Sequence, residues 1–133
     1  MAIVCGRIVA AEVNKKTEEQ ATGLNINVSI EDVAVNKGIL DIKYIYTVTY
    51  EKEVGTLKIT GYIEAKEDGQ DKIAAEWKKT KKLPDGFAEE LLNAINFTCG
   101  VNGTLIVRAL NMAPPMVLPK IQISKSGGKG SAA

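Results

Sequence analysis

The chain has 133 residues, which suits one domain built around one core. Hydrophobic residues make up 45% and charged ones 25%, and 17 Lys and Arg stand against 16 Asp and Glu, so no global field steers the protein toward nucleic acid or an anionic membrane. There is no histidine, which removes the commonest general base, the commonest metal ligand and every Ser–His or Cys–His arrangement.

In chain order, residues 3–13 are rich in β-branched side chains and read as a first strand. After a polar connector over 14–23, Leu24, Ile26, Val28 and Ile30 alternate with Asn25, Asn27, Ser29 and Glu31. That period of two predicts a strand with one buried face. Val33 and Val35 continue in shifted phase, which predicts a bulge at Glu31-Asp32. A turn at 36–38 leads into the strongest strand, 39–50, with Leu40, Ile42, Tyr44, Tyr46, Val48 and Tyr50 on one face. The short segment 51–53 then joins it to a strand over 54–66 whose inward residues are Leu57, Ile59 and Ile63, an expected antiparallel hairpin. The four strands are expected to form a meander.

The second half is helical. Residues 73–79 read as a short helix carrying Trp77. Pro84 and Asp85 then open a long helix over 87–110, with acidic residues at its start and Arg108 at its end. Its apolar residues spread over roughly 200°, about twice what a surface helix needs. One sheet covers one side, so the expectation is a second surface, most simply the same helix of another subunit. Asn93, Asn96, Phe97, Gly100 and Gly103 are the candidate residues of that seam. The alternative is a helix broken at 100–103 and tucked into one core. After it, residues 111–123 carry three prolines, which force an extended path, and enough apolar groups to lie along the body. Residues 1–123 are thus expected to be one α+β domain, and 124–133 (SKSGGKGSAA) a disordered Gly/Ser/Lys tail.

The sites implied are few. Cys5 and Cys99 have no CxxC partner and supply too few ligands for zinc; they read as free, buried cysteines of a reducing compartment. Arg7 interrupts the opening segment before a signal-peptide core develops. The longest uncharged stretch, 91–107, falls short of the roughly 20 apolar residues of a membrane span, so a soluble, cytoplasmic protein is expected. Gly100-Val-Asn-Gly103 has the GxxG spacing that clamps nucleic-acid backbone, but it lacks positive charge and reads as helix packing. Lys78, Lys79, Lys81 and Lys82 near Trp77 form a candidate nucleic-acid patch; the solvated face of a helix is the favoured reading. Carboxylates such as Asp32, Asp41 and Glu64 are scattered, with no spacing that marks an acid/base pair. Neither a nucleotide fingerprint nor a metal or cofactor motif is present. A non-enzyme is the expectation. Met112, Met116, Val117 and Leu118 are the candidate peptide-binding residues, since flexible thioethers suit surfaces that accept varied apolar partners; core filling by a C-terminal strap is the equal alternative.

The stretch from Ala88-Glu-Glu-Leu-Leu through Leu110-Asn-Met-Ala-Pro-Pro-Met-Val-Leu-Pro-Lys-Ile-Gln-Ile123, following four antiparallel strands, resembles the ending of the SecB export-chaperone family. The resemblance implies dimers pairing into a homotetramer, ATP-independent capture of unfolded chains in apolar grooves, and, in export members, delivery to a translocase. It places the groove wall on Met112, Met116, Val117 and Leu118. Export members also carry an acidic surface and a second C-terminal helix; here the charge is balanced and the end is Gly/Ser/Lys. The alternative function is a structural or adaptor subunit of a protein or RNA-containing assembly.

Overall fold

The computed structural model describes residues 2–19 and 21–115. The fold is α+β: strands β1 (Ala2–Lys15), β2 (Leu24–Asn36), β3 (Ile39–Tyr50) and β4 (Gly55–Lys66) precede helices α1 (Gln70–Thr80) and α2 (Asp85–Arg108). The strands form one antiparallel sheet in the order β1-β4-β3-β2.

That order corrects the expected meander, which holds only for β2, β3 and β4. The β2–β3 turn is tight, with Lys37 and Gly38 both left-handed, the backbone a two-residue hairpin requires. A single 3-10 turn, Glu51–Glu53, closes the β3–β4 hairpin. The β1–β2 connector is different. At eight residues, 16–23, it is too long for a tight turn. It can reach about 26 Å, whereas three strand spacings need only about 14 Å. β1 therefore crosses to the far edge and pairs with β4.

Register explains the core. The ladder shifts between Ile30 and Asp32, so Leu24, Ile26, Val28 and Ile30 before the bulge and Val33 and Val35 after it share one face. They stand opposite Tyr50, Val48, Tyr46, Tyr44, Ile42 and Leu40 of β3, none of which is more than 1% exposed. Tyr44 lies across from Gly61 of β4. A Cβ at Gly61 would run into the Tyr44 ring and into the Arg7 carbonyl at 2.7 Å, so the missing side chain is the space the tyrosine occupies. The hydroxyl of Tyr44 in turn accepts from the Cys99 thiol at 3.5 Å.

Both helices cover this face. α1 begins after left-handed Gly69 and ends at left-handed Lys81, whose N–H bonds the Trp77 carbonyl at 2.7 Å. It buries Ile73, Ala74 and Trp77 and packs on β2. α2 runs unbroken from Asp85 to Arg108 over β4 and β1. Its buried residues include Phe87, Leu91, Ile95, Cys99, Gly103 and Val107, each four after the last. Such a row drifts about 40° per step, so a helix packed along it crosses the sheet obliquely and turns roughly 200° of its surface to the same partner. The wide apolar arc is therefore largely explained by one sheet.

The outer sheet face is polar. There Arg7 pairs with Glu64 and lies over the Tyr62 ring, 4.5 Å from its centroid. Asp41 stands opposite Glu64, and its Oδ1 is buried with no hydrogen-bond partner among the described residues. Burial raises the Asp41 pKa above 3.8; the Arg7 charge opposes this, while Glu64 and Asp32 add to it.

Two predictions follow from burial and charge. Burial pushes the Cys99 thiol up to about 11, although its bond to Tyr44 acts in the other direction, whereas Cys5 is exposed. At pH 8 one thiol should react rapidly with an aromatic disulfide reagent and the second only after denaturation; two fast thiols would contradict the packing of α2. For Asp41 the folded pKa lies above the unfolded one, so its contribution favours the fold at low pH and is lost as pH rises past 3.8 through the folded value. Asp41→Asn should raise the thermal midpoint by roughly a few degrees at pH 7 and by less at pH 3, as followed by circular dichroism.

Candidate functional site

The surface that the fold leaves uncovered is the second ridge of α2. Asn93, Phe97, Val101 and Leu105 also recur every four residues, so they form a row parallel to the buried one. All four are exposed, Phe97 by 74% and Leu105 by 62%. Between the two ridges run the half-buried Ala94, Thr98, Asn102 and Ile106. Polar groups here are satisfied within the helix: the Asn102 amide donates to the Thr98 carbonyl at 2.9 Å, and the Thr104 hydroxyl donates to that of Gly100 at 2.7 Å. Nothing on this ridge is charged between Glu90 and Arg108.

This arrangement divides the five expected seam residues. Asn93, Asn96 and Phe97 are on exposed sides of the helix. Gly100 and Gly103 are buried, and their assignment to a subunit seam is corrected to packing within the chain. A Cβ at Gly103 would lie 3.1 Å from Leu57 Cδ2 and 3.0 Å from Pro115 Cγ, so this glycine lets α2 approach its own sheet and strap.

A second element is the β1 edge, one of the two edges of the sheet, which has no neighbour on its outer side among the described residues. β1 pairs with β4 on one side only. It is 14 residues long and exposes Ile3, Val4 and Val9. Its ladder shifts between Ile3 and Cys5 and between Ile8 and Ala10. An apolar edge with unpaired backbone groups is a template for another strand, and these shifts interrupt it at two places.

The strap begins where α2 ends. Asn111 is left-handed, and the Met112 N–H reaches back to the Val107 carbonyl at 3.2 Å. The chain thereby turns onto the sheet. Met112, the described member of the expected peptide-binding group, is buried and touches the position of Gly55, where a Cβ would come within 2.8 Å of its Cε. Met116, Val117 and Leu118, like the expected tail 124–133, lie outside the described residues. Beyond Met112 the strap is held by tyrosines. The Tyr50 hydroxyl donates to the Ala113 carbonyl, and the Tyr46 hydroxyl donates to that of Pro115 at 3.4 Å. Burial pushes Tyr46 up to about 12 and raises Tyr50 as well, so both phenols keep their protons and act as donors at any ordinary pH. This tyrosine function is not legible in the sequence, where both read only as core. Beside them is a cavity of about 320 Å³ lined by Lys15, Glu18, Tyr50, Val54, Asn111 and Met112, among others.

The lysine cluster is arranged differently from a stacking platform. Lys78, Lys79, Lys81 and Lys82 are exposed, but Trp77 is buried and Lys81 Nζ sits 4.1 Å from its ring centroid. No face of the indole is open to a base. The carboxylates Asp32, Asp41 and Glu64, scattered in sequence, come near one another on the outer sheet face, and among the described residues no group of His, Cys, Asp and Glu could hold a metal ion. No helix there is long and apolar enough to cross a membrane.

No family model matches the chain, and no curated protein matches it. Among solved structures, a Mycobacterium tuberculosis SecB-like chaperone in complex with a ChAD peptide from the HigA1 antitoxin is similar to it. The similarity covers 92% of this chain and 91% of that one, at 12% sequence identity and a TM-score of 0.45.

Proposed function

We propose that the chain is a SecB-like, ATP-independent holdase of the cytoplasm, a homo-oligomer that binds unfolded or partner polypeptides on apolar surfaces without chemistry. The observation that carries this reading is the exposed ridge Phe97–Val101–Leu105, displayed on a helix whose opposite ridge is locked into the core. Monomers seldom leave such large side chains bare in a row. The apolar edge of β1 offers backbone pairing as well, a second mode by which extended chains are held. The likeness of residues 88–123 to the SecB ending supports the same class of activity. Dimers or a tetramer would cover part of these surfaces and leave repeated weak sites, which together provide avidity.

A structural or adaptor role is the second reading, favoured by the exposed lysines 78, 79, 81 and 82. It predicts binding of RNA or another polyanion that weakens steeply with salt. With Trp77 covered, stacking can contribute little.

The test is size-exclusion chromatography with light scattering, with and without a permanently unfolded client. An oligomer that retains the client is expected. Phe97→Asp with Leu105→Asp should leave the far-UV spectrum intact, because both side chains are exposed. Each side chain buried on association contributes about 1.5–3 kcal/mol, so the double variant should lose client retention by at least about tenfold, with a smaller mass wherever this ridge joins subunits. A monomer that ignores the client sinks this reading.

A further inference from the structure

The strap root, residues 112–115, sits in a seat whose construction goes beyond filling a core. Its two consecutive prolines have no N–H, so around Pro114 and Pro115 it presents carbonyls and no backbone donor. The seat answers with donors: the phenols of Tyr50 and Tyr46, directed at the carbonyls of Ala113 and Pro115. Two glycines make the sockets. Gly55, whose missing Cβ also admits the Asn14 carbonyl of β1, leaves space for Met112, and Gly103 leaves space for the Pro115 ring and Leu57. Among the described residues, the side-chain bonds to 112–115 come from these two phenols. Contacts of this kind read an extended main chain and apolar side chains, and they tolerate many sequences.

We propose that this seat is a recognition site for extended, proline-containing apolar polypeptide, and that residues 112–115 occupy it in cis as a displaceable stand-in. The inference rests on the polypeptide-binding reading above and deepens it: the strap root becomes the competitor of an incoming segment, and the tyrosine–glycine seat becomes its site. A polyproline-type segment has no internal hydrogen bonds to break when it leaves; the bond from the Met112 N–H to the Val107 carbonyl is lost, and the two phenol bonds and two sockets are replaced by those of the incoming chain. Occupancy in cis lowers the apparent affinity for any outside segment by the fraction of time the seat is free.

The probe is a fluorescent synthetic peptide of residues 111–119, titrated by anisotropy into the full-length chain. Loosening the strap with Met112→Ser and Pro115→Gly should tighten peptide binding at least about fivefold. Adding Tyr46→Phe and Tyr50→Phe should remove that increase. Equal binding by wild type and loosened strap, or binding indifferent to the phenols, overturns the proposal. Should the loosened variant not fold, methyl-labelled methionine NMR of the wild type decides: excess peptide must move the Met112 signal to the position of a free methionine, and a fixed signal overturns the exchange. The two readings fail separately. An unfolded client retained on the column while Met112 stays fixed leaves the holdase standing and sinks the exchange; peptide exchange without client retention does the reverse.

Discussion

The molecule depends on one line of contact, the ridge of α2 that lies over β4 and β1 and reaches the β3 tyrosines through Cys99. Its side chains taper along the helix. Phe87, Leu91 and Ile95 are large and fully packed; Cys99 and Gly103 are small; Val107 closes the row. At the small end the approach is close: a Cβ at Gly103 would lie 3.1 Å from Leu57 Cδ2. Three consequences meet at that end. Cys99 reaches the Tyr44 hydroxyl, Gly103 admits Leu57 and Pro115, and the chain emerges at Val107 close enough to the sheet for Met112 to fold back. The strap's place is thus set by side-chain volume two turns upstream. Filling Gly103 would press on backbone geometry there as well as on one contact.

Much of this was legible in the residues. Period-two alternation located the strands, and the phase change at Glu31-Asp32 marked the bulge, because burial forces a strand to recover its face after an extra residue. The face from Leu40 to Tyr50 could be read directly. Sheet order could not, since alternation says which face a strand buries and nothing about which neighbour it finds; the length of the 16–23 connector was the available clue. The helix carries a subtler pattern. A projection of all its residues onto one circle hides the drift of a four-residue row along a 24-residue helix. Counting by fours separates a buried ridge, 87 to 107, from an exposed one, 93 to 105, and puts Gly103 on the inner side.

The phenol donors of the strap were hidden for another reason. A tyrosine in an apolar alternation looks the same whether its hydroxyl meets a carbonyl, a thiol or solvent. Tyr44, Tyr46 and Tyr50 have the same sequence context but three different partners: the Tyr44 hydroxyl accepts from the Cys99 thiol, and the other two donate to strap carbonyls. Buried hydroxyls need partners, so three such residues on one face imply polar groups overhead, and the carbonyls of a proline-rich segment suit the two that donate.

The same ridge also bears on association. A bare apolar row on a loop would have to be ordered before it could bind, and each immobilised side chain would subtract from affinity. On α2 that cost is met when the chain folds, because the row 93–105 is the far side of a helix already fixed along its whole length. Its rotation is set by the inner ridge: if the buried row shifted by one residue, Phe97 and Leu105 would move about 100° around the axis. Exposure of this row is therefore coupled to core packing. A protein whose stability required only the inner face could carry polar residues on the outer one at no cost to the fold, as helices facing water generally do. Phe97, Val101 and Leu105 stand there with no charge among them, so the fold itself does not account for them, and it is this row that the proposed association would cover.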